Sequence, residues 1–134
     1  MNEVKQQVFI GIDVCKRELE VALRPTGNRS VFSNDDEGIA HLVDFVRSNS
    51  PSLVVLEATG GLETGVVGAL AARECPVVVV NPKQVRDFAR ATGKLAKTDS
   101  IDAHVLAHFA DAVRPEVRAL KNVEAQNLDA LNTR

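Results

Sequence analysis

The chain has 134 residues, 45% hydrophobic and 25% charged, with a formal net charge of −2. That describes one ordinary globular domain with enough chain to bury a single core. No apolar run approaches the ~20 residues needed to span a bilayer, and the opening MNEVKQQVFIGIDV lacks the basic start and long apolar centre of a secretion signal. The expectation is a cytoplasmic protein with no membrane partner. Cys15 and Cys75 form no CxxC pair and no zinc spacing, so both read as buried thiols in a reducing compartment.

In chain order, VFIGIDV (8–14) is short, apolar and β-branched, the pattern of a buried strand. LEVALR (19–24) and RSVFS (29–33) alternate, with turn chemistry in PTGN (25–28) between them, which predicts an antiparallel meander. A helix over about 36–48, capped by Asn34 or Asp35, follows from the spacing of Ile39, Leu42, Val43 and Val46. LVVLE (53–57) and VVVV (77–80) are further buried strands. A helix over about 62–73 lies between them, and another over about 82–92 starts from Asn81-Pro82 and ends at Gly93. A helix over about 99–112, capped by Thr98, is closed by Pro115, and one more begins near Val123. The order β-β-β-α-β-α-β-α-α predicts an α/β fold, a mixed five-stranded sheet with helices on both faces.

Two of the buried strands end in a carboxylate, Asp13 and Glu57. A charge at the end of an apolar strand is costly to desolvate without a partner. Parallel neighbouring strands would bring the two acids together at the sheet edge where α/β folds keep their sites. Asp99 and Asp102, three apart at the start of a predicted helix, would share one face. The helix dipole offsets only part of their repulsion. Four converging acids call for a hard divalent cation, Mg²⁺ or Mn²⁺, and a pair of such ions suits phosphodiester chemistry. His104 and His108 are helix neighbours as well. At ~100° per residue they point about 180–200° away from the two aspartates, which leaves them as surface or core-edge residues.

The second constellation is basic. Residues 83–97 carry Lys83, Arg86, Arg90, Lys94 and Lys97 against one acid, Asp87, a local charge of +4 in an acidic chain. Gly93 divides the stripe into a helical part and a loop part leading into Asp99. Such a run is read as a phosphate-backbone contact for DNA or RNA. The loop ATGG offers Thr59, Gly60 and Gly61 beside Glu57. The glycines permit positive φ or close approach by a nucleic-acid backbone, while the plainer reading makes Thr59 a helix cap.

The residues GIDVCKRELEVAL (11–23), LEATGG (56–61) and VVVNPKQVRDFARATGKLAKTDSIDA (78–103), with Leu106 and Ala107 beyond, resemble the DEDD-type, RuvC-like insertion-sequence transposases, whose relatives include pilin-gene invertases. The resemblance covers about residues 8–120. It implies an RNase H-like fold, with the family's four acids falling on Asp13, Glu57, Asp99 and Asp102 as catalytic metal ligands. It also implies DNA strand cleavage and exchange, a structured guide RNA (the bridge RNA) and homo-oligomers. By the same resemblance, 1–120 is the RuvC-like catalytic domain and 121–134 the start of a helical linker. The family's serine-bearing C-terminal domain is absent from these 134 residues. Two other readings stay open: a stand-alone RuvC-like structure-specific nuclease, and a non-catalytic nucleic-acid-binding or assembly fragment. A sugar-kinase or actin-like ATPase is disfavoured, because Val14-Cys15-Lys16-Arg17 after Asp13 cannot form a phosphate-cradling loop.

Overall fold

The computed structural model describes residues 6–93 and 101–117. Five strands form one sheet: β1 (Phe9–Val14), β2 (Glu18–Arg24), β3 (Arg29–Ser33), β4 (Leu53–Glu57) and β5 (Val77–Val80). Their order across the sheet is β3-β2-β1-β4-β5. The first three strands are an antiparallel meander, and β1–β4 and β4–β5 are parallel. The four helices are α1 (Asp36–Ser48), α2 (Thr64–Ala72), α3 (Pro82–Ala91) and α4 (Ala103–Val113). Among the described residues no helix is long and apolar enough to cross a membrane.

Strand alternation sorts the core into two layers. Ile10, Ile12, Val54, Leu56 and Val77 face α1 and α2. Phe9, Leu53, Val55, Val78 and Val80 face α3 and α4. Because β1 and β4 are covered on both sides, their sequences read as unbroken apolar runs rather than as alternating ones. Helix α4 lies directly on β1. A Cβ added to Gly11 would stand 2.2 Å from the Ala103 carbonyl oxygen and 2.4 Å from the Ala107 nitrogen. Glycine is therefore the residue that lets the helix backbone touch the strand.

The caps explain most element boundaries. Asp35 accepts from the Gly38 N–H (2.8 Å) and starts α1. Asn81 accepts from the Lys83 N–H (2.8 Å) and starts α3, with Pro82 in the first turn. Gly93 follows at φ +74°. The start of α4 differs from the expected position 99. Asp102 is the N-cap, with extended backbone (φ −114°, ψ −179°), and accepts from the Val105 N–H at 3.0 Å. Aspartate is a stronger cap than threonine, and Ile101 is buried in the core just ahead of it. Asp102 thus precedes α4 instead of lying in its first turn, so the angular argument about His104 and His108 loses its origin. Cys75 is buried, but Cys15 is exposed. It sits in the β1–β2 turn, where its N–H donates to Glu18 O (2.9 Å).

Candidate nucleic-acid-processing site

The β1–β4 register runs Phe9 to Leu53, Ile10 to Val54, Gly11 to Val55 and Ile12 to Leu56. One further step sets Asp13 beside Glu57. Both alternate onto the α3/α4 face, at the carboxyl edge of the sheet. On the other side of Asp13, its antiparallel partner is Glu20. Three adjacent strands thus contribute a transverse row of carboxylates, Glu20–Asp13–Glu57, across the middle of the sheet. Glu20 forms an ion pair with Arg29 on β3.

The electrostatics follow from this crowding. Burial raises the Asp13 pKa, and the charges of Glu20 and then Asp102 raise it further. Burial also raises that of Glu57, with Asp13 adding to it, while the Arg86 guanidinium pulls the other way. Glu57 Oε2 is buried and accepts no hydrogen bond from any described residue. A buried carboxylate oxygen with no donor is rare and calls for an explanation. A divalent cation would fit there, since an oxygen-only donor set is what hard divalent ions take.

The predicted acids are only partly assembled. Asp13 feels the charge of Asp102, and Glu57 feels that of Asp13, while Asp102 has one oxygen engaged as the α4 cap. Asp99, Lys94 and Lys97 lie outside the described residues. Among the described residues, no three His, Cys, Asp or Glu side chains already form a metal-holding group.

The basic residues divide. Arg86 is half-buried and lies within the electrostatic field of Glu57. Lys83 is paired with Asp87 at 3.1 Å along α3. Arg90 is exposed. His104 is exposed, and the His108 ring packs edge-on against Phe88, with centroids 4.9 Å apart.

The loop after Glu57 departs from expectation. Thr59 does not cap α2, whose N-cap position is held by Glu63. Its hydroxyl donates to Glu63 Oε1 at 2.6 Å, and its N–H reaches the same oxygen at 3.1 Å. The Gly61 N–H is a third donor to that atom, at 3.2 Å. Burial works to raise the Glu63 pKa, but the hydrogen bonds from Thr59 and Gly61 outweigh it and hold the carboxyl below its usual range. Glu63 occupies the N-cap position of α2 and makes no side-chain bond to its own helix. Gly60 and Gly61 stand at φ +80° and +122°, with nothing within 4 Å of where a Cβ would be. Conformation requires these glycines; packing does not.

The transposase family model for the DEDD proteins of the IS110 type matches residues 10–134. The chain belongs to this transposase family. Among curated relatives, the pilin gene-inverting proteins of Moraxella lacunata and Moraxella bovis are each 26% identical over 131 residues. The alignment covers 93% of this chain and 41% of each relative, so this chain spans less than half of their length. A solved structure, T. thermophilus RuvC in complex with a Holliday junction substrate, superposes with a TM-score of 0.52 at 15% identity. The match covers 76% of this chain and 90% of the RuvC chain, which establishes an RNase H-like, RuvC-like fold for this chain.

Sequence reasoning missed Glu20 and Glu63. Glu20 was recoverable, because fixing the hairpin register places it opposite Asp13. Glu63 was not, since a glutamate four residues after Thr59 matches no standard capping spacing.

Proposed function

We infer that this domain supplies the acidic, metal-holding half of a DNA transposase or recombinase. The observation that carries the reading is the in-register Asp13–Glu57 pair on the two central parallel strands, with Glu57 Oε2 buried and without a donor. These two acids, with Asp102 and Asp99, would hold one or two Mg²⁺ or Mn²⁺ ions. Such ions, when bound, activate an attacking oxygen and stabilise a leaving one in phosphodiester cleavage.

The rest is the work of the protein's own groups. Asp13 and Glu57 bind on one edge of a rigid sheet, and Asp102 is fixed by its cap to α4. Arg86 places positive charge beside Glu57, where a strand's phosphate must come. Lys83 and Arg90 on α3, with Lys94 and Lys97 later in the sequence, would hold the backbone without reading its sequence. Gly60 leaves room for close passage of the strand.

DNA is the substrate supported by the family and by the names of the relatives. A structured guide RNA and a homo-oligomer belong to the same reading by family resemblance, as features of a longer protein. The deciding experiment is calorimetric titration of this chain with Mn²⁺ at neutral pH, comparing wild type with Glu57→Gln. Binding by the wild type that is lost in the variant is expected. No binding by either protein would overturn the metal reading. Cleavage of a four-way junction by this chain alone would instead mark it as a self-sufficient nuclease.

A further inference from the structure

We propose that Glu63 is the positioning residue of the acidic site, locking the loop that leaves Glu57 through three hydrogen bonds to a single carboxylate oxygen. The proposal rests on the metal-holding reading above and adds a residue to it. Upstream of Glu57 the chain is held by the β4 ladder, and Ala58 continues it with an N–H bond to Val80 O at 3.0 Å. Two residues later come Gly60 and Gly61, two consecutive glycines both at positive φ. Left to themselves they would let residues 58–62 sample many paths, and the direction in which Glu57 is held would vary with them.

Glu63 Oε1 removes that freedom. It takes the Thr59 N–H, the Thr59 hydroxyl and the Gly61 N–H together, closing a ring of chain from 59 to 63. Two further observations separate this from ordinary capping. Glu63 sits at the α2 N-cap position yet leaves its own helix without a side-chain cap. A Cβ on Gly60 or Gly61 would also meet nothing within 4 Å, so packing does not wedge the two glycines in place. The bonds to Glu63 thus hold a loop that packing leaves unrestrained. All three bonds need an acceptor oxygen and none needs a charge. Glutamine, which keeps such an oxygen, can replace Glu63; alanine cannot.

The test uses this 134-residue chain as Glu63→Ala and Glu63→Gln, well below the melting temperature of each. Mn²⁺ affinity is measured by calorimetry, and exchange protection of the Thr59 and Gly61 amides by NMR. Residues that orient a ligand typically change metal affinity by about 10–100-fold when removed. Glu63→Ala should weaken Mn²⁺ at least about 10-fold and lose protection at both amides, while Glu63→Gln stays close to wild type in both readouts. Equal Mn²⁺ affinity in wild type and Glu63→Ala would overturn the proposal. A Glu63→Gln variant as weak as Glu63→Ala would also do so, because it would make Glu63 a charge at the site instead of a tether. If the wild type binds no Mn²⁺, the metal reading and the positioning role built on it both fall. Retained amide protection in Glu63→Ala would show separately that the tether itself is absent.

Discussion

Replacing Asp13 by Asn should stabilise the metal-free domain at neutral pH and destabilise it, relative to wild type, once Mg²⁺ is present. Adjacent strands are about 4.8 Å apart, and two carboxylates at about 5 Å repel by roughly 3 kcal/mol at an effective dielectric of ~20. Asp13 and Glu57 are both half-exposed, so solvent and salt reduce this to about 1 kcal/mol. For a domain of this size that is about 4 °C in Tm. The pH dependence fixes the sign. The folded-state pKa of Asp13 is raised above its ordinary 3.8, so the wild type is at its best when Asp13 is protonated. It loses stability as pH rises from about 4 through the folded value. Asparagine does not titrate, so the two proteins should melt together near pH 4 and separate as pH approaches 7. The assay is thermal unfolding from pH 4 to 8 in EDTA, repeated in Mg²⁺. Ligand at 100 times its Kd adds about 2.7 kcal/mol to the protein that binds it, enough to invert the order. A variant less stable than wild type in EDTA, or a difference that does not change with pH, would refute the reasoning.

Gly11→Ala should cost about 3 kcal/mol or more in urea unfolding, because its Cβ would meet main-chain atoms of α4 that cannot rotate away; a loss under about 1 kcal/mol would mean α4 is free to shift. At Asp102 two roles can be separated: Asp102→Ala should lose about 1 kcal/mol of cap energy, while Asp102→Asn keeps the cap and weakens Mn²⁺ binding. Equal Mn²⁺ affinity in Asp102→Asn and wild type would confine Asp102 to its helix.

The sheet was legible because its strands are buried on both faces and so spell themselves as apolar runs between turn residues. The meander, the parallel β1–β4–β5 half and the helices on both faces all follow from that pattern. The Asp13–Glu57 pairing was legible for the same reason: two strand ends that must be parallel neighbours carry one acid each. The start of α4 was not, because helical periodicity continues through Thr98–Asp102 whichever residue caps, and the burial of Ile101 that decides the matter is a tertiary fact. The plainer reading of Thr59 as a cap failed for a related reason. A hydroxyl before a helix suits a cap, and only the fold reveals that Glu63 turns back to meet it. Glu20 looked like the polar phase of a half-exposed strand until the hairpin register set it against Asp13.

The seating of α4 on Gly11 also orders events during synthesis of the chain. Carboxylates at positions 13, 57 and 102 come from the beginning, middle and end of the domain, and the Arg24–Asp111 ion pair (2.7 Å) that helps fasten α4 spans 87 residues. Closing so long a loop is favourable only after the sheet exists to receive the helix. A nascent chain that has emerged only as far as β5 can therefore pair its strands but does not yet bring Asp102 to the edge of the sheet. The approach of Asp102 to Asp13 is tied to that late docking step, so a half-made domain on the ribosome does not yet bring the two carboxylates together.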